Sequence, residues 1–296
     1  MTHSLPDLVR RYAEAHAGPN GVAQTPIEGL VVIRATEPSG IDYAISHPLA
    51  CLVVQGSKRV TVGTQTFDFS AGDSLLITSD IPTVSQITRA SAAAPYYSLV
   101  LDLNRRTLAE LAVEMKLGPP PPGAHVQVEP TDTEVRDAAL RLLRLTDRPA
   151  ALPVLQSQLL REIHYWLLVG KHGPVIRQLS LPDSQAQRLA RAIALLRSAF
   201  AQPLPVERLA SEAGMSVSSF YQHFRAATSL SPLQFQKQLR LIEARQLMTS
   251  DGMSASTAAF TVGYESVQQF TREYRRMFGL PPAQDAEATR RAYCCQ

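Results

Sequence analysis

The sequence has few cysteines and no long hydrophobic run, and each shortage excludes a class of protein. Three cysteines in 296 residues, Cys51, Cys294 and Cys295, are too few and too unevenly spaced for a disulfide framework or a zinc site. No apolar run reaches the roughly 18 residues that a membrane-spanning helix needs. The start, MTHSLPDLVRRYAEAHAG, lacks the apolar core of a secretory signal and predicts a short amphipathic helix. These features predict a protein of the reducing cytoplasm.

Charge is modest overall but unevenly distributed. The net charge is +3, yet residues 1–179 hold 16 Lys and Arg against 17 Asp and Glu. Residues 180–296 hold 13 and 9, so the positive charge lies in the C-terminal third. This asymmetry favours a polyanionic partner for that part of the chain.

Short β-rich runs occupy residues 28–103 and are separated by Gly, Asp, Ser or Pro. Runs such as CLVVQG, KRVTVG and YYSLVLDL predict an antiparallel sandwich or barrel. The segment VTVGTQTFDF predicts a hairpin that turns near Gly63.

Helical periodicity begins after Asn104 and is interrupted by PPPPG, a stiff spacer that cannot continue a helix. Thr131 and Glu134 predict a capping box for a helix that places Val135 and Leu142 on one face. A second, more apolar helix follows and ends near Gly173. These helices could cover the open end of the barrel or form a dimer seam.

An internal repeat with an offset of 50 residues marks the C-terminal third. Ala210 and Gly214 also match Ala259 and Gly263 at an offset of 49. The other matched positions are Ser216 with Ser266, Phe220 with Phe270, Phe224 with Tyr274, and Arg225 with Arg275.

Each copy predicts a helix, a turn and a second helix, which is the helix-turn-helix arrangement. Gly214 and Gly263 permit a positive φ in the turn, while Ser216 and Ser266 cap the second helix. The segment from Ser231-Pro232 predicts a long helix that links the copies.

The second helix of each copy has an aromatic stripe and a polar stripe. In the second copy Phe270, Tyr274 and Phe278 are expected to be buried, which leaves Gln and Arg outside. Gln can pair with adenine and Arg with guanine in a major groove. Solvated faces of a helical bundle are the alternative, but two copies with the same cap, Gly and aromatic spacing favour DNA reading.

The segments ERLASEAGMSVSSFYQHFRAATSLSPLQFQKQLRLIEARQLM and STAAFTVGYESVQQFTREYRRMFGLPPAQD resemble the DNA-binding domain of AraC-type transcription regulators. CLVVQGSKRVTVGTQTFDFSAGDSLLITSDIPTVSQI is similar to the cupin-like N-terminal domain of one subgroup. The resemblance implies a monomer or homodimer that places two recognition helices in successive major grooves, about 34 Å apart. It also implies RNA polymerase as a partner and a small-molecule effector of unstated identity.

The family pattern places the DNA-contacting residues on both recognition helices and on the linking helix. They are Ser218, Tyr221, Gln222, Arg225, Arg240, Val267, Gln268, Gln269, Thr271, Arg272, Arg275 and Arg276. There are two departures, Gln222 where Arg is common and Ser229 where Gly is usual, and the first of them leaves the first helix with less charge. The second helix is therefore expected to carry most of the specificity, and Val267 could touch a thymine methyl group.

The N-terminal domain lacks the metal ligands of metal-binding cupins, since no H-x-H pair exists and Pro-Thr-Val-Ser-Gln stands where the late His would be. No metal or other cofactor is therefore predicted. Cys51 could be a small buried hydrophobe or a thiol that senses an electrophile. Lys58 could bind an acidic effector or lie on a solvated strand.

These observations predict an α+β protein with a cupin-like β-barrel and flanking helices at residues 1–178, and an all-α double helix-turn-helix domain at 179–296. The first domain is expected to bind the effector and to dimerise, and the second to bind double-stranded DNA. The predicted function is a non-enzymatic, effector-responsive transcription regulator. A cupin-type enzyme and a helical protein-interaction module remain alternatives.

Overall fold

A computed structural model describes residues 4–118, 125–180 and 185–294, so the predicted PPPPG spacer lies outside the described residues. The chain forms two compact units, Met1–Asp42 with Ser46–Gln187, and Tyr43–Ile45 with Arg188–Gln296. The predicted boundary after residue 178 falls inside a helix, and the chain passes from the first unit to the second between Gln187 and Arg188.

The described strands form a six-stranded and a four-stranded sheet, which belong to the first unit except for residues Tyr43–Ile45. The larger has the order β1-β2-β9-β4-β7-β10, formed by β1 (Val22–Gln24), β2 (Leu30–Ala35), β9 (Tyr96–Asp102), β4 (Leu49–Gln55), β7 (Asp73–Ile77) and β10 (Val126–Pro130). The smaller has the order β3-β8-β5-β6, formed by β3 (Asp42–Ser46), β8 (Ile81–Arg89), β5 (Ser57–Val62) and β6 (Gln65–Ser70). Strands β1 and β10 lie outside the predicted range of 28–103, which was therefore too short at both ends.

Alternating side chains decide which residues form the interior between the sheets. In β4, Cys51 and Val53 pack with Val60 and Phe69 of the smaller sheet, whereas Ala50 points to the opposite face. Strands β5 and β6 pair as the predicted hairpin. The φ of Gly63 in its turn is +58°.

The described part of the first unit contains five α-helices: α1 (Leu5–His16), α2 (Arg105–Glu114), α3 (Thr133–Leu143), α4 (Leu152–Val169) and α5 (Gly173–Ser180). Their apolar residues form one core with the outer face of the six-stranded sheet. The predicted Thr131–Glu134 capping box is wrong, because α3 begins after Asp132. The Asp132 carboxylate instead accepts a hydrogen bond from the backbone N–H of Lys171 at 3.0 Å.

The second unit is helical and has two cores. Its helices are α6 (Gln185–Ser198), α7 (Val206–Glu212), α8 (Val217–Thr228), α9 (Pro232–Ser250), α10 (Ala255–Thr261), α11 (Val267–Phe278) and α12 (Pro282–Cys294). Helix α9 is the predicted linking helix, and it starts with a capping box between Ser231 and Gln234. Its first half contributes Phe235 to the core of α6–α8, and its second half contributes Met248 to the core of α10–α12. The predicted α+β class is confirmed, with two facing sheets rather than one closed barrel.

Candidate nucleic-acid interface

The two helix-turn-helix motifs, α7–α8 and α10–α11, are built by the same local devices. Gly214 and Gly263 in the turns have φ values of +59° and +86°, which residues other than glycine rarely adopt. Ser216 accepts a hydrogen bond from the N–H of Ser219 at 3.3 Å, and Ser266 accepts one from Gln269 at the same distance. Both caps were predicted from the repeat and are confirmed.

Aromatic side chains anchor each second helix. Phe220 and Phe224 are fully buried, and their ring centroids lie 5.3 Å apart. Phe270 and Tyr274 are also fully buried, at 5.4 Å, while Phe278 is only half-buried. The Tyr274 hydroxyl donates to Asp285 at 2.7 Å, and burial raises the pKa of this phenol far above its usual value. The helices are thus fixed from one side, which leaves their other face to solvent.

The outward face of α11 is polar and positively charged. Gln268, Arg272, Arg275 and Arg276 are exposed, and Val267 is half-buried beside them. Together with Thr271 these residues line an open concavity of about 720 Å³. Within the part of the chain that the structure describes, the three guanidinium groups have neither a hydrogen bond nor an ion pair. They are therefore available to an anionic partner.

Two of the predicted base-reading residues already make internal hydrogen bonds. The Gln269 amide donates from Nε2 to Glu273 at 3.1 Å, which leaves its second amide hydrogen and its carbonyl oxygen available. Glu273 also accepts from Lys237 at 2.8 Å and from Tyr264 at 2.9 Å. The Thr271 hydroxyl donates to the Val267 carbonyl at 2.8 Å, so its methyl group is the part that remains for a base.

The outward face of α8 is less charged. Ser218, Tyr221, Gln222 and Arg225 are all exposed, and the tyrosine ring is 43% accessible. Arg225 is the one permanent cation of this helix. The structure therefore presents a cationic second helix and a polar, mostly neutral first helix.

Arg240 makes its hydrogen bonds within the protein, and its assignment to the DNA-contacting set stays a prediction. Its guanidinium donates to the backbone carbonyl oxygens of Phe200 at 2.7 Å and of Gly263 at 2.9 Å. It also donates to Ala201 at 3.2 Å and to Gln202 at 3.3 Å. Burial lowers the pKa of Arg240, in keeping with its position between backbone segments. This side chain therefore links α9 to the loop at Phe200–Gln202 and to the turn at Gly263.

The first motif has an equivalent contact that sequence reasoning missed. Nε of Arg188, on α6, donates to the carbonyl of Ala213 in the first turn at 2.9 Å. Arg240, on α9, does the same for Gly263 in the second turn. The separation of Arg188 and Arg240 in the sequence is close to the repeat offset. An alignment of the two copies that included the preceding helix would therefore have matched these arginines.

The two candidate effector residues lie on the inner faces of the N-terminal sheets. Cys51 is 3% accessible and packs in the core between the sheets. Lys58 pairs with Phe69 on one side and with Ile87 on the other, so it shares their inner face. It is half-buried and has no hydrogen bond or ion pair among the described residues. Its neighbour Arg59 points the other way and donates to Asp68 at 2.7 Å.

The described residues provide no membrane-crossing helix, because none is both long and apolar enough. Among the same residues, His, Cys, Asp and Glu side chains form no group of three that could hold a metal ion.

Comparison with known proteins agrees with this geometry. Residues 26–175 match the model of the AraC-type transcriptional regulator N-terminus, and residues 209–288 match a helix-turn-helix domain model. The HTH-type regulator GbdR of Pseudomonas aeruginosa is 30% identical over 100 residues, which cover 34% of this chain and 27% of GbdR. The activator VirF of Yersinia enterocolitica is 26% identical over 148 residues, which cover 48% of this chain and 51% of VirF. The chain thus spans between about a quarter and a half of these relatives.

Solved structures of ToxT from Vibrio cholerae share the fold. An apo ToxT variant has a TM-score of 0.58 at 9% identity and covers 89% of this chain and 99% of its own. ToxT with a bound unsaturated fatty acid has a TM-score of 0.54 at 10% identity and covers 87% and 93%. The matched N-terminal model covers half of the sequence and the helix-turn-helix model covers most of the remainder. The chain therefore belongs to the AraC-type transcriptional regulators.

Proposed function

We propose that this protein is a sequence-specific DNA-binding transcription regulator that responds to a small molecule and performs no catalysis. The observation that carries the proposal is the outward face of α11, where Arg272, Arg275 and Arg276 have no partner among the described residues and flank Gln268. The same helix-turn-helix frame occurs twice, so α8 supplies a second recognition helix. Double-stranded DNA offers phosphates and base edges that suit such faces.

The residues of α11 divide by position along the helix. Gln268 and Arg272 lie near its N-terminal half and are assigned to base edges, where Gln suits adenine and Arg suits guanine. Arg275 and Arg276 lie in the last turn and are assigned to phosphates, which supply affinity without sequence information. On α8, Ser218, Tyr221 and Gln222 are assigned to bases and Arg225 to a phosphate.

The experiment compares Arg272→Ala with Arg276→Ala, two exposed arginines one helical turn apart. Arg272→Ala should weaken binding by about 1–3 kcal/mol and relax the preference at one base position. Arg276→Ala should weaken binding to all sequences about equally and reduce the salt dependence by about one ion. Binding is measured by fluorescence anisotropy on a selected duplex and on random DNA at several salt concentrations. Equal losses on both DNAs for both variants would refute the division, and the absence of salt-dependent binding would favour a protein-interaction module.

For the N-terminal unit we propose an effector site between the two sheets. The inner faces are apolar, and the Tyr96 phenol, Ser98 hydroxyl and Cys51 thiol form a small polar group among them. Burial is the main reason that the pKa of Tyr96 is raised well above 10. Lys58 adds a positive charge on the same inner surface. These groups fit a mainly apolar molecule with a polar or acidic end, and two ToxT structures hold a fatty acid and an aryl butenoic acid.

Lys58 and Arg59 provide a matched pair for this proposal, because adjacent residues of one strand face opposite sides. The probes are an unsaturated fatty acid and its methyl ester, and the readout is the shift in melting temperature. Lys58→Gln should remove the shift caused by the acid, whereas Arg59→Gln should keep it. A shift that both variants retain would remove Lys58 from the site. Cys51→Ser tests the thiol by a different readout, which is induction. Unchanged induction by every electrophile would end its role as a sensor.

The remaining parts of the proposal concern assembly and location. We assign effector binding and self-association to residues 1–178, and DNA binding to residues 179–296, in a cytoplasmic protein that contacts RNA polymerase. Support for a homodimer comes from α4, where Val154, Leu155 and Val169 are exposed on an apolar helix. Light scattering after size exclusion tests this, and a Val154→Lys variant should shift a dimer towards monomer. A monomeric wild-type protein at micromolar concentration would contradict the assignment.

A further inference from the structure

The loop between α6 and α7 makes the non-covalent contacts that hold the two helix-turn-helix motifs together. Gln236, on α9, donates from Nε2 to the carbonyl oxygens of Phe200 at 2.9 Å and of Gln202 at 2.7 Å. Arg240, one turn later on α9, donates to the same two carbonyls and to Ala201. One face of α9 therefore holds the loop that leads into the first motif.

The second motif is attached to the same loop. Arg240 uses Nη1 to reach the Gly263 carbonyl in the turn of the second motif at 2.9 Å. A Cβ atom on Gly263 would lie 1.9 Å from the Ala201 carbonyl oxygen, so the turn and the loop touch backbone to backbone. Phe200 completes the contact, because its side chain packs against both cores of the unit. We call these residues, Phe200–Gln202, Gln236, Arg240 and Gly263, the junction.

We infer that the junction is a spacing device, in which Arg240 and Gln236 are positioning residues that hold the two recognition helices at one separation. The planar guanidinium presents five donors in a fixed fork, so carbonyls bound to it cannot move independently. Neither side chain touches DNA in this role. The inference rests on the proposed DNA binding and adds a property to it: the protein selects DNA by the number of base pairs between its two contacted segments.

The DNA itself turns a spacing error into a large misfit. One inserted base pair lengthens the duplex by about 3.4 Å and rotates the second segment by about 34°. A rigid reader then loses the base contacts of one segment, and each lost base-pair contact typically costs about 1–3 kcal/mol. A reader with a loose junction follows the displaced segment and loses less.

The test uses the full chain and a duplex recovered by repeated selection from a random 30-base-pair library. Versions of this duplex with one base pair added or removed between the two footprints are compared with the selected spacing. The variants are Arg240→Gln, which removes the links, and Arg188→Gln as the matched control. Arg188, on α6, also donates to a turn carbonyl, that of Ala213, but this hydrogen bond reaches only the first motif.

The wild-type protein and Arg188→Gln should both prefer the selected spacing by about tenfold or more. Arg240→Gln should lose affinity mainly for the selected spacing, so that its preference falls to about threefold or less, because preorganisation is lost. Arg240→Lys, which keeps the charge but not the fork, should fall between. If Arg240→Gln does not fold, Gln236→Met is compared in the same way.

Equal losses on every spacing, with the preference intact, would overturn the inference and leave the junction a plain stability element. A wild-type preference that is absent from the start would overturn it as well. Failure of the wild-type chain to select any duplex would instead reject the proposed DNA binding. The two failures are therefore distinguishable.

Discussion

Gly263 and Gly279 offer a controlled test of how tightly the second motif is packed. Both have strongly positive φ values, +86° and +82°, so an alanine at either position meets a similar backbone penalty. They differ in their surroundings. A Cβ atom at Gly279 would have nothing within 4 Å, whereas one at Gly263 would lie 1.9 Å from the Ala201 carbonyl oxygen and 2.7 Å from its carbon. The pair Gly263→Ala and Gly279→Ala therefore separates conformation from contact.

The expected difference follows from these contacts. The positive φ costs about 1 kcal/mol in each variant. At Gly263 the loop must also retreat by more than an ångström, and overpacking of this kind costs about 1–3 kcal/mol. Displacement of the turn weakens the hydrogen bond from Arg240, worth about 1 kcal/mol. Gly263→Ala should thus lose about 3–5 kcal/mol and Gly279→Ala about 1 kcal/mol.

The assay is hydrogen exchange with mass spectrometry on peptides from α10 and α11, because the two units of the chain can unfold separately. Chemical denaturation followed by far-UV circular dichroism gives an independent value. Gly214→Ala serves as an intermediate case, since its nearest neighbour is the flexible end of Arg188 at 3.3 Å. Equal destabilisation by Gly263→Ala and Gly279→Ala would show that the close approach of the turn to the loop is not rigid.

Two further predictions concern stability. Ser229 ends α8 with a left-handed φ of +60°. Ser229→Gly should therefore raise the free energy of unfolding, measured by denaturation, by about 1 kcal/mol. An unchanged denaturation midpoint would argue against backbone strain at this residue. Burial lowers the pKa of His125, His164 and His172 in the folded protein. The unfolded chain then binds more protons near its histidine pKa of about 6.5, so stability is fully present above that pH and falls below it. The His164 ring accepts a hydrogen bond from the backbone N–H of Asn104 at 2.9 Å. In His164→Gln the denaturation midpoint should fall less steeply as the pH is lowered than in the wild-type protein. Equal slopes for the variant and the wild type would assign the pH dependence to other groups.

The sequence predicted the recognition helices well because their determinants are local. A capping serine, a turn glycine and aromatic residues four apart act within one motif, and the repeat showed each of them twice. Exposure of Arg272 and Arg276 followed from the same periodicity. The strand-rich domain was predicted in class for a similar reason, since alternation and turn residues are local signals.

The junction could not be predicted in this way. Arg240 contacts loop residues about 40 positions earlier and a turn 23 positions later, and nothing in its neighbourhood distinguishes such an arginine from one that binds phosphate. The edge strand β1 was missed because it has only three residues, and β10 was missed because its partner β7 is separated from it by two strands and a helix. The first turn of α3 was misplaced because Asp132 is engaged by Lys171 rather than by its own helix.

The two halves of helix α9 pack in different cores, so the number of residues in this helix should stay constant during evolution. An α-helix advances 1.5 Å and turns about 100° for each residue, so one inserted residue would swing the second motif to another side of the first. Insertions and deletions should therefore be selected against within Pro232–Ser250, even at exposed positions where substitutions are harmless. The layout of a regulated promoter and the residue count of this one helix would then have to change together during evolution.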